Sequence, residues 1–185
     1  MKAALGNQRR RALGAATTLA GLALLGGCAG PTLQDLASQR PLFDFKQYFN
    51  GDLLAHGVVT DRGGKVLRRF VVTMRCSWIG DAGTLDERFT YDDGERQQRI
   101  WRIQALPDGR FSGSADDVVG EALGAESGPA FHWRYTLKLP YRGATIDLQF
   151  DDWMYRVDKH TVINKAAMSK FGVRVGDVTL SFTKP

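Results

Sequence analysis

The chain is poor in the residues from which most catalytic and metal sites are built. It has two cysteines, Cys28 and Cys76, and three histidines, His56, His132 and His160, with no His-x-His or His-Glu-x-x-His spacing. No Cys-x-x-Cys pair, no Gly-x-Ser-x-Gly elbow and no glycine-rich phosphate loop ahead of a helix occurs. No nucleophile–base pair can therefore be named, and the expectation is a protein that is not an enzyme and holds no cofactor or metal. The pairs Asp92-Asp93, Asp116-Asp117 and Asp151-Asp152 offer oxygen ligands to a hard cation. Yet the first directly precedes Gly94, where turn formation accounts for it, and none has EF-hand-like spacing. Basic surplus is lacking too. The formal charge of +5 comes from 25 Lys and Arg against 20 Asp and Glu, and setting aside Lys2, Arg9, Arg10 and Arg11 leaves 21 against 20. That balance excludes a nucleic-acid backbone as partner.

An apolar run long enough to span a bilayer is also missing. The stretch from Ala12 to Leu25 is short and interrupted by Gly14 and Gly21. Behind the positive Lys2, Arg9, Arg10 and Arg11 it reads as a signal peptide, residues 1–27. It ends abruptly in Leu25-Gly26-Gly27-Cys28, a lipobox whose cysteine is expected to become a lipidated N-terminus and to partner the membrane through that lipid. Ala29 is not the aspartate that commonly retains such proteins at the inner membrane, so the expected address is the periplasmic face of the outer membrane. With Cys28 lipidated, Cys76 has no disulfide partner, and its place in a strand-like alternation predicts burial.

What is present is β-pattern. Residues 28–41 read as lipidated cysteine and tether, polar and bracketed by Pro31 and Pro41. In the following domain, residues 42–185, Phe45, Tyr48 and Phe49 recur at helical spacing and suit a short turn that plugs one end of the fold. From Gly51 on, alternating runs are separated by turn residues. Phe70, Val72, Met74, Cys76 and Trp78 share one face of one run; Phe131, Trp133, Tyr135, Leu137 and Leu139 share one face of another. The stretch 116–122 is less regular, and Ala125-Glu126-Ser127-Gly128 reads as loop. About nine or ten short strands, with no long amphipathic helix and no βαβ spacing, predict an all-β antiparallel up-and-down barrel, with a β-sandwich as the alternative.

Parity assigns some charges to the interior. If Leu85, Phe89 and Tyr91 face inward, so does Glu87, and Trp101 and Ile103 carry Arg99 inward on the next strand. A three-residue Asp93-Gly94-Glu95 loop pairs Phe89 with Arg99 and Glu87 with Trp101, leaving Glu87 and Arg99 as diagonal neighbours. Removing either alone is then expected to strand a buried charge. Ile146, Leu148, Phe150, Asp152 and Met154 share a face as well, which turns Asp152 inward, while Arg68 is another inward candidate.

The motifs Gly94-Glu95, Arg99-Ile100-Trp101, Asp116-Asp117-Val118-Val119-Gly120, Phe150-Asp151-Asp152-Trp153-Met154-Tyr155 and Lys170-Phe171-Gly172-Val173, in this order, resemble the bacterial lipoprotein family catalogued as domain of unknown function 3833. The resemblance runs from Phe49-Asn50-Gly51 to the C-terminus. It implies an envelope lipoprotein with a lipocalin-like or calycin-like barrel, and supplies no catalytic residues.

Two readings of function follow. In the first, the lipid-anchored barrel binds a hydrophobic or lipid-like ligand, such as a fatty-acyl molecule, with Glu87, Arg99 and Asp152 as an internal polar cluster and Trp101, Trp133 and Phe131 lining an apolar cavity. In the second it is a structural or scaffolding lipoprotein whose interior is filled by its own aromatics, and the same charges form a buried salt-bridge network.

Overall fold

The computed structural model describes residues 30–141 and 143–185. The signal peptide, the lipobox and Cys28 lie outside the described residues. Ten antiparallel strands follow one another around a closed barrel: β1 (Gly51–Asp61), β2 (Val66–Ile79), β3 (Ala82–Tyr91), β4 (Arg96–Leu106), β5 (Arg110–Ser114), β6 (Ala122–Ser127), β7 (Ala130–Tyr141), β8 (Ala144–Arg156), β9 (Thr161–Lys170) and β10 (Val173–Thr183). β1 closes on β10, from Leu54 opposite Thr183 to Asp61 opposite Gly176. Closure leaves no long edge for another chain to pair with, and the sandwich alternative is set aside. No helix among the described residues is long and apolar enough to cross a membrane.

The two-residue period fixes which side chains enter the bore. Along β2, Phe70, Val72, Met74 and Cys76 are buried while Arg69, Val71, Thr73, Arg75 and Ser77 are exposed. The β3–β4 hairpin keeps this parity but not the expected pairing. Its loop is Asp92-Asp93-Gly94, closed by a Tyr91 N–H to Glu95 carbonyl bond of 2.9 Å, with Gly94 at φ 86. A left-handed residue is required there, and glycine takes it without a side-chain penalty. The register moves by two residues, so Glu87 lies directly opposite Arg99, and Leu85 opposite Trp101.

Two further expectations are corrected. Ala125, Glu126 and Ser127 are not loop but the end of β6, which pairs with β7 through a tight Gly128-Pro129 turn. The chain is also shaped before residue 42. Thr32 accepts a hydrogen bond from the Asp35 backbone N–H while the Asp35 carboxylate accepts one from the Thr32 N–H at 2.8 Å, a capping box that starts α1 (Leu33–Leu36). α1 packs against β6 and β7. At the turn between them Gly128, at φ 55, lies against the Leu36 carbonyl, where a β-carbon would collide, and its own carbonyl accepts from Phe43 N–H at 2.7 Å. Thr32–Pro185 form one compact unit, so the reading of residues 28–41 as tether holds at most as far as Pro31.

α2 (Phe45–Tyr48), capped by Asp44 through the Gln47 N–H at 2.8 Å, is the expected plug. Phe45 stacks on Phe131 at 4.2 Å and packs against Phe49 and Phe111 at 4.8 and 5.0 Å. The Tyr48 hydroxyl donates to the His160 and Phe182 carbonyls at 2.8 and 3.0 Å, and the Trp78 indole donates to the Phe49 carbonyl at 2.8 Å. One half of the bore is thereby filled with rings held by hydrogen bonds.

Candidate functional site

The other half of the bore is hollow. A cavity of about 340 Å³ extends above the plug, and Glu87, Arg99, Trp101, Trp133 and Asp152, the five candidates read from the sequence, all line it, as do Phe131 and Arg68. Several of the residues that face it are small. β1, β9 and β10 turn Val59, Ala166 and Val178 into this half, facing Phe70, Phe89, Leu137 and Phe150 from β2, β3, β7 and β8.

At mid-depth several polar groups line the wall between the plug and the mouth. The Arg99 Nε donates to both Asp117 carboxylate oxygens at 3.0 Å, and its Nη2 donates to Oδ2 at 2.7 Å. Glu87 lies farther off, 3.9 Å from Arg99 Nη1, an ion pair too long for a hydrogen bond. Asp152, only 5% exposed, accepts from the Tyr135 hydroxyl at 3.0 Å and from the Asn164 amide. The expected union of Asp152 with Arg99 is thus corrected: Arg99 turns to Asp117, and Asp152 is held by neutral donors.

Asp117 reaches Arg99 because β5 and β6 are short. β5 pairs with β4 only from Arg102 to Leu106, and β6 with β7 only from Ala130 to Arg134. The irregular stretch after β5 covers the remaining wall, with Val118 bridging to Leu137 and the Asp117 carbonyl accepting from Lys138 N–H at 2.8 Å.

The charges are incompletely compensated. Burial pushes the Glu87 carboxyl up to about 7, and the nearby Asp117 and Asp152 add to this, against the pull of Arg99 and a hydrogen bond from Trp101. Burial pushes Asp152 up to about 6 despite its bonds from Tyr135 and Asn164. Burial works against charge on Arg99 too, but the bonds to Asp117 and the fields of Glu87 and Asp117 outweigh it and raise its value. Burial, then Asp152, lifts Tyr135 well above 10. At the mouth, Arg68 lies 3.6 Å over the Tyr91 ring and donates to Asp93 and Glu95 at 3.0 and 2.9 Å, while its buried Nε has no partner.

Sequence reasoning missed Asp117, Tyr135 and Asn164 as members of this polar cluster. Asn164 carried a signal in its inward parity with Val162 and Ala166, both buried on β9; Tyr135 stood in the apolar stripe, but its hydroxyl went uncounted. The three aspartate pairs do not converge. Asp92 and Asp93 bind Arg69 and Arg68, and Asp116 binds Arg102. Asp151 faces outward, holding His132, Arg134 and Trp153 at 2.9 to 3.0 Å. No group of three or more metal-ligating side chains occurs among the described residues. Cys76 is buried, and burial pushes its thiol up to about 12.

Two solved structures share the barrel. A protein of unknown function from the DUF3598 family of Nostoc punctiforme aligns at 13% identity with a TM-score of 0.53, over 80% of this chain and 51% of its own. An S-type phycobiliprotein lyase from Guillardia theta aligns at 6% identity with a TM-score of 0.60, over 84% of this chain and 98% of its own. This chain therefore spans about half the length of the first and nearly all of the second, and at these identities the likeness is one of fold, a lipocalin-like barrel. No curated protein matches the chain. A family model matches residues 22–184, and the chain belongs to that family, described as protein of unknown function (DUF3833).

Proposed function

We propose that this protein is a lipid-anchored envelope lipoprotein whose barrel binds a hydrophobic or lipid-like ligand. The observation that carries the reading is the cavity of about 340 Å³, lined mostly by apolar side chains with a few buried polar groups part-way down its wall, within the range of roughly 300–1,000 Å³ typical of small-molecule sites. A barrel that served only as a scaffold would gain by filling this space, since an unfilled apolar wall forfeits packing contacts. The lipobox at Cys28 supplies the anchor, and Ala29 favours the outer membrane. The second reading, a scaffold, draws support from the aromatic plug, which fills the other half of the bore.

The test is purification of the full chain from its own envelope, followed by solvent extraction and mass spectrometry. A stoichiometric apolar or amphipathic molecule is expected with the natural sequence and absent with Ala166→Phe, which places a ring in the hollow. No molecule in either sample, together with no uptake of added lipid, would leave the scaffold.

A further inference from the structure

The cavity wall carries two buried carboxylates at mid-depth, Glu87 and Asp152, beside one guanidinium, Arg99. Arg99 makes its short bonds to Asp117, which lies outside the cavity lining. Asp152, nine-tenths and more buried, has no cation within ion-pair distance among the described residues; its partners are the Tyr135 hydroxyl and the Asn164 amide. Glu87 faces the cavity with its cationic partner 3.9 Å away. A carboxylate sunk this far from water stays ionised only at a cost unless a counter-charge meets it, and among the described residues none reaches Asp152. At the mouth Arg68 spends Nη2 on Asp93 and Glu95, so most of its charge is already met, while its Nε is left without a partner.

We propose that the ligand is an amphipath with a primary ammonium head, seated at Glu87 and Asp152, with its apolar chain running past Phe70, Leu137 and Phe150 toward the mouth. This rests on the ligand-binding reading above and names its chemical class. The head supplies the missing positive charge and three donors, which carboxylates with spare acceptor sites can take. A fatty-acid anion at the same wall meets like charge, a juxtaposition that costs several-fold to many-fold in affinity.

Sign follows from the groups that face the pair. Around Glu87 are Arg99 on β4, Asp117 on the wall segment, Asp152 on β8, Tyr135 on β7, Cys76 on β2 and Tyr91 on its own strand. Arg99 stays charged, and Tyr135, Tyr91 and the Cys76 thiol are shifted upward by burial, so they stay neutral. Of these cavity groups, Glu87 and Asp152, at about 7 and about 6, change charge between pH 5 and 8. Binding of an ammonium therefore tightens as pH rises through that window, and binding of a carboxylate weakens.

The experiment titrates the full chain in nanodiscs, blanked against empty nanodiscs, with three probes of equal chain length: dodecylammonium, dodecanol and dodecanoate. At pH 8 dodecylammonium is expected to bind at least about tenfold more tightly than dodecanoate, and its advantage should shrink toward pH 5. Glu87→Gln and Asp152→Asn should each lower the affinity for dodecylammonium while leaving dodecanol little changed. Because the probe comparison and its pH trend use the unaltered protein, a variant that fails to fold does not remove the test. Dodecanoate binding as tightly as dodecylammonium at pH 8, or an ammonium preference unchanged in both variants, overturns the proposal while leaving a ligand-binding barrel. Failure of all three probes to bind removes the ligand-binding reading itself.

Discussion

Glu87 gives the sharpest stability prediction, and its sign is the reverse of what the sequence suggested. Its carboxyl titrates at about 7 in the folded chain, raised by burial from an ordinary 4.5. The folded state holds that proton more tightly than the unfolded chain does. Stability from this group is fully present below pH 4.5 and is lost as pH rises through 7. The gap between the two values corresponds to about 3 kcal/mol, and the group is only 14% exposed, so solvent screening removes little of it. Glutamine mimics the protonated acid in shape and hydrogen bonding. Glu87→Gln should therefore match the natural protein near pH 4.5 and exceed its stability by up to about 3 kcal/mol at pH 8. It does not strand a cation, because Arg99 keeps its bonds to Asp117. Urea unfolding at pH 4.5, 6 and 8, with equal m-values, measures this. A variant destabilised by the same amount at every pH would show that Glu87 is ionised and well paired throughout, and would refute the argument.

Arg99→Met is expected to cost about 3–5 kcal/mol at pH 8, because it leaves both Glu87 and Asp117 without their cation. The loss should lessen at pH 5, where Glu87 takes up a proton, and adding Glu87→Gln should recover part of it in a double-mutant cycle. Phe45→Ala removes the ring stacked on Phe131 and should cost about 3–5 kcal/mol, read as a fall in the urea midpoint. The Cys76 thiol, buried and pushed up to about 12, should resist alkylation at pH 8 until the barrel is unfolded; rapid labelling of native protein would refute its burial. Cys28→Ser should leave the barrel folded yet abolish acylation, so metabolic labelling with a fatty acid that persists in the variant would count against the lipobox.

Much of the architecture was legible because a barrel writes itself into the period of its strands. The alternation through Phe70, Val72, Met74 and Cys76, or through Phe131 and Trp133, leaves one face of each strand buried, and the structure buries those faces. The inward turn of Glu87, Arg99 and Asp152 was legible for the same reason, since parity survives a register error of two residues: the loop moved from Asp93-Gly94-Glu95 to Asp92-Asp93-Gly94 and every side chain kept its face. What parity cannot carry is pairing across non-neighbouring strands. Arg99 meets Asp117 only because β5 stops at Ser114 and the chain after it crosses the open wall, a consequence of strand length that no alternation encodes. Ala125 to Ser127 looked like loop because small and charged residues weaken the β pattern, yet β7 provides a partner along their length and ladder hydrogen bonds override the weak preference.

The hollow was the least legible feature, and the reason is that several of the residues facing it are small rather than distinctive. Ala166, Val59 and Val178 read from the sequence as ordinary strand positions, no different from those that pack a core. Their effect appears only when the barrel brings them opposite Phe70, Leu137 and Phe150 and leaves the centre unfilled. Plug and cavity are then complementary consequences of one distribution: Phe45, Phe49, Phe111 and Phe131 concentrate aromatic volume at one end, so the barrel is held there and the other half is free to stay open. The buried carboxylates stand at the boundary between the halves, where they cost stability as pH rises. An apolar pair of similar size would relieve that cost, which makes the presence of two carboxylates on the cavity wall an argument for a ligand that meets them.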